Sequence, residues 1–339
     1  MLNVAVIGFG WWGRHIVARL AGHPRLRVVC VAEPDRALHA DIKAAGCVAV
    51  DDLDTALRRA DVAAVILTTP HMVHEEQVRA AAAAGRHVFC EKPLGLTAAS
   101  ARRAVAAARA AGVVLGIGHE RRFEPAMARL KAMIGAGDLG TILHTDAAFS
   151  HDKLAGIAPG GWRTSATLSP GAGMTGMGIH LTDLMLWLFG PVSSVQALTR
   201  DRVLGWPTGD MVVAQLGFAA GMTAHLNAIL ATPHFMRFHV FGSDGWVEIR
   251  NTTHPDTPGG VTDWLQCRKG ASPVAETLPW SDAVVANLDA WAAAIAGKAA
   301  YPFSDADLIG NIALYEAIVA SAALGQTVTL HPGASHDPH

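Results

Sequence analysis

The first residues able to do chemistry form a glycine triplet, Gly8-Phe9-Gly10-Trp11-Trp12-Gly13, which follows an apolar run at 4–7 and opens a helical segment at 14–20. In such a turn Gly8 permits the tight bend, Gly10 lets the backbone approach a pyrophosphate, and Gly13 lets helix and strand pack closely. The phosphates then lie at a helix N-terminus, where free N–H groups and the positive dipole end stabilise them. A second apolar run, 28–32, ends just before Glu33, which stands 20 positions past Gly13. A carboxylate at that spacing accepts hydrogen bonds from an adenosine ribose, and it favours NAD over NADP because a 2′-phosphate would face an anion. Arg36 nearby leaves NADP open.

A second group of candidates lies at the ends of later apolar runs. Glu91-Lys92-Pro93 follows the run 87–90, Thr68-Thr69-Pro70-His71 follows 62–67, and Gly118-His119-Glu120-Arg121-Arg122-Phe123 follows 113–117. In open α/β folds ligands bind at the carboxyl ends of the strands. An ammonium from Lys92 there would point toward a nicotinamide and donate to a substrate hydroxyl, although a lysine at such a place, taken alone, is more often a solvated loop lysine.

These segments need a scaffold, and from residue 2 to 117 apolar runs alternate with Ala/Arg-rich helical stretches. That rhythm predicts a parallel sheet covered on both faces. Past Phe123 the pattern changes. It predicts a helix over 125–134, a strand over 142–149, a Gly/Pro/Ser-rich loop over 154–173 and a helix over 177–189. Strands at 192–199, 211–218, 222–229, 237–241 and 246–249 with short turns then imply an antiparallel sheet. Gly242-Ser243-Asp244-Gly245 reads as a hairpin turn. Helices are expected over 282–296 and after a Ser304-x-x-Asp307 cap, the latter with Leu308, Ile312, Tyr315 and Val319 on one stripe, and the tail from Pro332 reads as frayed. The domains are therefore placed at 1–121 and 122–339. Within 211–218, Val212, Ala214, Leu216 and Phe218 share one face and Met211, Val213, Gln215 and Gly217 the other. Helices of the same chain are expected on one face and a second subunit on the other.

The 339 residues are 51% hydrophobic and 17% charged, so two cores can be built and a disordered chain is excluded. A formal charge of −2 offers no field for nucleic acid or an anionic membrane, and neither an apolar run of spanning length nor a leader is expected from the pattern. Cys30, Cys47, Cys90 and Cys267 are scattered without a C-x-x-C pair, which argues against a disulfide framework or zinc knuckle and for a reducing cytoplasm. The 17 histidines show no H-E-x-x-H spacing, and no metal is expected.

Taken in order, VIGFGWWG, the TTP–H step, EKP, RRF and MGIHLTDLMLWLFG (177–190) resemble the Gfo/Idh/MocA family, named for glucose-fructose oxidoreductase, inositol dehydrogenase and MocA. The resemblance covers nearly the whole chain. It implies an α/β architecture, an N-terminal Rossmann parallel sheet followed by a C-terminal α+β domain with a large, mostly antiparallel open sheet that commonly joins subunits into a homodimer or homotetramer. It further implies an active site between the domains, often a cis peptide before Pro93, and sugars, inositols or related cyclic alcohols as substrates.

By the same resemblance Lys92 and His180 are the catalytic pair, with His180 as acid/base and Lys92 as polariser or proton relay. That chemistry suits oxidation of a carbinol, whose O–H proton must leave as hydride departs. Many relatives carry an aspartate four residues before this histidine, where this chain has Gly176. Asp183, three residues after His180, is a candidate to orient the imidazole or bind a substrate hydroxyl, or else merely complements the helix dipole. Trp162 and Arg163 offer a ring face and a donor fork to a sugar, or anchor their loop. Arg122 and His119 are placed on the nicotinamide side, His151 and Asp152 along the cleft, and Trp11 and Trp12 over the cofactor. The remaining cofactor contacts are expected from Phe9, Thr68, Thr69, Pro70, His71, His74, Glu91 and Lys92.

The expected activity is an NAD(P)-dependent dehydrogenase acting on a secondary alcohol or lactol of a monosaccharide, inositol or cyclic polyol. A redox-assisted lyase or glycosidase with tightly held NAD, a cis-dihydrodiol dehydrogenase and a non-catalytic NAD(P) sensor are the alternatives. Lys92 and His180 argue against the sensor, which has no need of reacting groups.

Overall fold

In the computed structural model residues 1–330 are described, and the tail from Pro332 lies outside them. The chain divides into two compact units, Met1–His119 with Val284–Ile309, and Glu120–Ala283 with the chain from Gly310 onward.

The first unit is built on six strands, β1 (Leu2–Ile7), β2 (Leu26–Ala32), β3 (Val48–Val50), β4 (Ala64–Leu67), β5 (His87–Cys90) and β6 (Leu115–Ile117). Their order is β3-β2-β1-β4-β5-β6, and every neighbouring pair is parallel. The order reverses between β1 and β4, the switch point at which a dinucleotide binds in this topology. All four residues of β4 are buried, as continuous apolar runs dictate for a strand covered on both faces. The sequence pattern does not reveal β3, because this edge strand is three residues long and Val48 is exposed. The helix Ala98–Ala110 starts where Thr97 and Ser100 close a reciprocal capping box.

The helix Ala283–Ile295 changes the domain assignment. Its Val284, Leu288, Trp291 and Ala292 are buried in one cluster with Val4, Ile66 and Phe89, and Trp291 meets Phe89 edge-on at 5.6 Å. Asn287 Nδ2 donates to the Ile117 carbonyl (2.8 Å), and Tyr301 Oη accepts from the Ile117 amide (3.1 Å). Residues 284–309 therefore complete the first unit, whereas a sequential boundary at 121/122 gives them to the second.

The second unit carries β7 (Ile142–Ser150), β8 (Val192–Arg200), β9 (Met211–Phe218), β10 (Thr223–Ile229), β11 (Phe235–Gly242), β12 (Gly245–Asn251), β13 (Val261–Arg268), β14 (Val274–Pro279) and β15 (Val328–Thr329). They form one sheet ordered β14-β13-β12-β11-β7-β10-β9-β8-β15, antiparallel except for β7 beside β10. Val212, Ala214, Leu216 and Phe218 of β9 are buried, and the alternate residues are exposed or half-exposed, as a strand with one covered face requires. Helix Gly178–Phe189 packs over the buried face at β7 and β10. β13 and β14 escape the pattern because their faces do not alternate: in β13 only Trp264 is buried, and in β14 nothing is.

Helix Asp305–Leu324 corrects the expectation that no segment reaches spanning length, since by length and composition alone it passes (20 residues, mean hydropathy 1.4). Its apolar side is used within the protein. Ile312, Leu314, Tyr315 and Ile318 are buried, and Tyr315 Oη donates to the Pro170 carbonyl at 2.9 Å. The predicted cap is present, with the Ser304 amide donating to Asp307 Oδ2 (2.8 Å) and the Asp307 amide to Ser304 Oγ (3.1 Å).

Candidate active site

In the first unit the glycine turn is held by close packing. A Cβ on Gly13 would stand 2.1 Å from the Gly8 carbonyl oxygen and 2.9 Å from Thr68 Oγ1, so no side chain fits, and Gly8 adopts φ +92°. Thr68 Oγ1 completes the bend by donating toward the Ile7 and Gly8 carbonyls (3.0 and 2.9 Å). Gly10 is the N-cap of helix Trp11–Arg19, with no side-chain cap, no acid in the first turn and nothing within 4 Å of its missing Cβ. Backbone donors at that helix end and open space at Gly10 fit a pyrophosphate.

Glu33 holds this turn to β2. Its Oε2 accepts from the Phe9 amide (2.7 Å) and its Oε1 from the Asp35 amide (3.0 Å). Arg36, the residue that leaves NADP open in the sequence, is drawn to Asp51 at 2.8 Å. Phe9 corrects one expectation: its ring is 3% exposed inside the core and its amide is spent on Glu33, so it shapes the turn instead of touching a cofactor. Trp11 is 65% exposed, and the rings of Trp11, Trp12 and His15 stack along the helix start, Trp12 lying 4.8 Å from His15.

His74 is a second correction. Its imidazole is fully buried, with Nδ1 2.7 Å from the Pro93 carbonyl and Nε2 2.9 Å from the Thr69 carbonyl. Burial pushes its pKa down while the two carbonyls pull it up. Both ring nitrogens are thus committed within the protein, and the side chain ties the loop after β4 to the loop after β5. The peptide between Lys92 and Pro93 is cis, and the Lys92 amide donates to Glu91 Oε2 at 3.3 Å. Pro70 and His71 open the short turn that precedes helix His74–Ala83.

The second unit concentrates charge and imidazoles around one phenyl ring. Phe149 of β7, 2% exposed, has the rings of His254, His151, His180 and His234 at 5.5, 5.7, 6.2 and 6.4 Å, and the Arg121 guanidinium 5.8 Å from its centroid. Arg121 is 1% exposed and bridges Asp256 (2.6 Å), Glu124 (3.0 Å) and Glu120 (3.1 Å). Burial pushes the Glu124 carboxyl up against the opposing pull of Arg121. Burial also drives His254 down to about 3, despite Asp256 beside it. His180 sits in the first turn of helix Gly178–Phe189, 3% exposed, with Nδ1 4.0 Å from Glu120 Oε1.

The acid nearest His180 in this unit is Glu120 of the GHERRF segment, to which no pattern in the sequence assigns a role. Asp183 is engaged elsewhere. Arg122 Nε donates to its Oδ2 (2.8 Å) and Nη2 to its Oδ1 (2.7 Å), and the two are 6% and 1% exposed. A bidentate pair this deep is a strut between the turn Glu120–Phe123 and the helix, which corrects the assignment of Asp183 and Arg122 to substrate binding. Trp162 and Arg163 lie in a short turn anchored by the buried Thr164, and the Arg163 guanidinium stacks 4.1 Å over Trp162. The contact lies within the loop.

Comparison with known proteins agrees with these two halves. Residues 2–119 match a family profile described as "Oxidoreductase family, NAD-binding Rossmann fold", and residues 127–248 match "GFO/IDH/MocA C-terminal domain". The chain is 30% identical over 277 residues to 1,5-anhydro-D-fructose reductase of Ensifer adhaerens, covering 80% of this chain and 81% of that one. It is 29% identical over 302 residues to an inositol 2-dehydrogenase of Mycolicibacterium gilvum, covering 84% and 83%. Among solved structures, aldose-aldose oxidoreductase from Caulobacter crescentus, complexed with glycerol, superposes with a TM-score of 0.86 at 25% identity, covering 97% of this chain and 99% of that one.

Proposed function

The chain belongs to the GFO/IDH/MocA oxidoreductases, and from that premise we propose that it oxidises a secondary alcohol or lactol of a monosaccharide, inositol or related cyclic polyol with NAD. The names of its relatives, a reductase of an anhydro-keto-sugar and an inositol dehydrogenase, support that substrate class. Bound NAD supplies the hydride acceptor. The turn from Gly8 to Gly13 holds its phosphates, and Glu33 and Asp51 disfavour a 2′-phosphate by their charge.

His180 takes the hydroxyl proton, and Lys92 is the cation that stabilises a developing alkoxide. The observation that carries the acid/base role is the buried His180 imidazole with the Glu120 carboxylate 4.0 Å from Nδ1. At that distance the carboxylate acts through its charge, which favours the imidazolium that forms as the proton is taken. Glu120 thus supplies near His180 the negative charge that Gly176 does not. The same reading takes the outer face of the C-terminal sheet, with Met211 and Val213, as the surface that joins a homodimer or homotetramer in the cytoplasm, and a monomer by sedimentation at micromolar concentration would reject it.

The test of the activity is a panel of aldoses, inositols and anhydro-sugars offered with NAD and with NADP while nicotinamide absorbance is followed. Formation of NADH from at least one cyclic polyol or sugar is expected, with NADP poorer. Conversion of a substrate without net NADH, or no turnover although NAD binds, would contradict the proposal.

A further inference from the structure

On the outer face of the second sheet, opposite to the face that Phe149 enters, three groups with metal-ligand chemistry converge. His144 and Asp146 lie two residues apart on β7 and so share a face, and His225 of β10 is registered beside Asp146. His144 Nε2 is 3.4 Å from Asp146 Oδ1 and His225 Nδ1 is 3.8 Å from the same oxygen. All three ligand atoms lie within 4.8 Å of one another. Bonds of about 2.0–2.1 Å to zinc place neighbouring tetrahedral ligands roughly 3.3–3.4 Å apart. The two measured separations match or approach that edge.

The surrounding residues supply what a ligand set needs beyond its donors. Thr223, registered beside His144, has Oγ1 2.8 Å from His144 Nδ1. With Nδ1–H donating to that hydroxyl, Nε2 carries the lone pair and faces Asp146, the outer-shell arrangement that fixes the tautomer of a metal-bound histidine. In the single chain His144 and Asp146 are each 32% exposed at the side chain and His225 61%, but His225 is registered beside Gln215 on the face assigned above to a partner subunit, so the ion would be held at that interface. β7 and β10 are the parallel pair of this otherwise antiparallel sheet among the described residues, and the ion would cross-link them.

We propose that His144, Asp146 and His225 form a binding site for one divalent transition-metal ion of the zinc class, with water completing the coordination. It is distinct from the oxidoreductase chemistry and contributes nothing to hydride transfer. The expectation of no metal came from the lack of compact spacing. These ligands come from strands 79 residues apart in sequence and meet only through sheet register.

The experiment uses the full chain without an affinity tag, freed of metal by chelator and titrated with zinc chloride by calorimetry, then with cobalt(II) read by its visible spectrum. One ion per chain is expected, with an absorption band of low-coordinate N/O cobalt. His225→Ala and Asp146→Asn should each weaken zinc binding by at least about tenfold and erase the cobalt band, while melting temperature without metal and NADH formation stay unchanged. No binding, or zinc binding that persists in the His225→Ala/Asp146→Asn double variant, would overturn the proposal.

Discussion

The two units solve the problem of making a site in opposite ways. The first works through its backbone: the turn at Gly8–Gly13 is shaped by what it excludes, and Glu33 is spent on two amides that fix it. The second works through buried side chains, where one guanidinium balances three carboxylates beside several imidazoles. A backbone site is tuned by sterics and is nearly indifferent to pH, whereas a charged interior is balanced by neutralisation and responds to it.

The sharpest way to break this contrast is to remove the balancing charge. Arg121→Met leaves Glu120, Glu124 and Asp256 without their cation, and a loss of about 3–5 kcal/mol is expected by denaturant unfolding. A loss below 1 kcal/mol, in contrast, would mean that the carboxylates are solvated or protonated at little cost.

The matching test in the first unit compares two glycines. Gly13→Ala forces a Cβ to within 2.1 Å of the Gly8 carbonyl and should cost about 1–3 kcal/mol along with NAD affinity. Gly10→Ala meets nothing within 4 Å, so its melting temperature should hold while NAD affinity alone falls. Equal thermal effects of the two would refute the steric account.

The smallest effect concerns pH. His254 titrates near 3 when folded and near 6.5 when unfolded, so between those values the unfolded chain binds the extra proton and stability falls as pH drops below 6.5. His74 and His234, also lowered by burial, add in the same direction. Glu124, raised by burial, acts oppositely, losing stability as pH rises above its unfolded value. His254, kept neutral in the folded chain, costs about 1.4 kcal/mol of stability per pH unit below 6.5. Stability at pH 5.5 should therefore be lower than at pH 7.5, and His254→Gln should flatten the slope. An unchanged slope would place the titration elsewhere.

This contrast also explains what could be read from residues alone. The turn, Glu33 and strands β1, β4 and β5 are legible because a Rossmann crossover writes its demands locally, as glycines at fixed offsets and unbroken apolar runs. The role of Asp183 is not legible, because three-residue spacing puts it on the face of His180 while the partner that claims it, Arg122, is 61 residues away. Glu120 stands in a quoted motif, but the direction of a side chain in a four-residue turn is set by tertiary packing, not by pattern. Helix Ala283–Ile295 is legible as a helix but its unit is not, since an apolar stripe does not say which core it enters.

The central claim is that the first unit binds and the second unit exchanges the proton. It is tested most directly by measuring NAD affinity and single-turnover NADH formation side by side in Glu33→Ala and His180→Ala. The account predicts weakened NAD binding with hydride transfer largely kept at saturation in the first variant. In the second it predicts unchanged NAD binding with transfer slowed by about 10²–10⁴-fold. Transfer within tenfold of the parent in His180→Ala would contradict it.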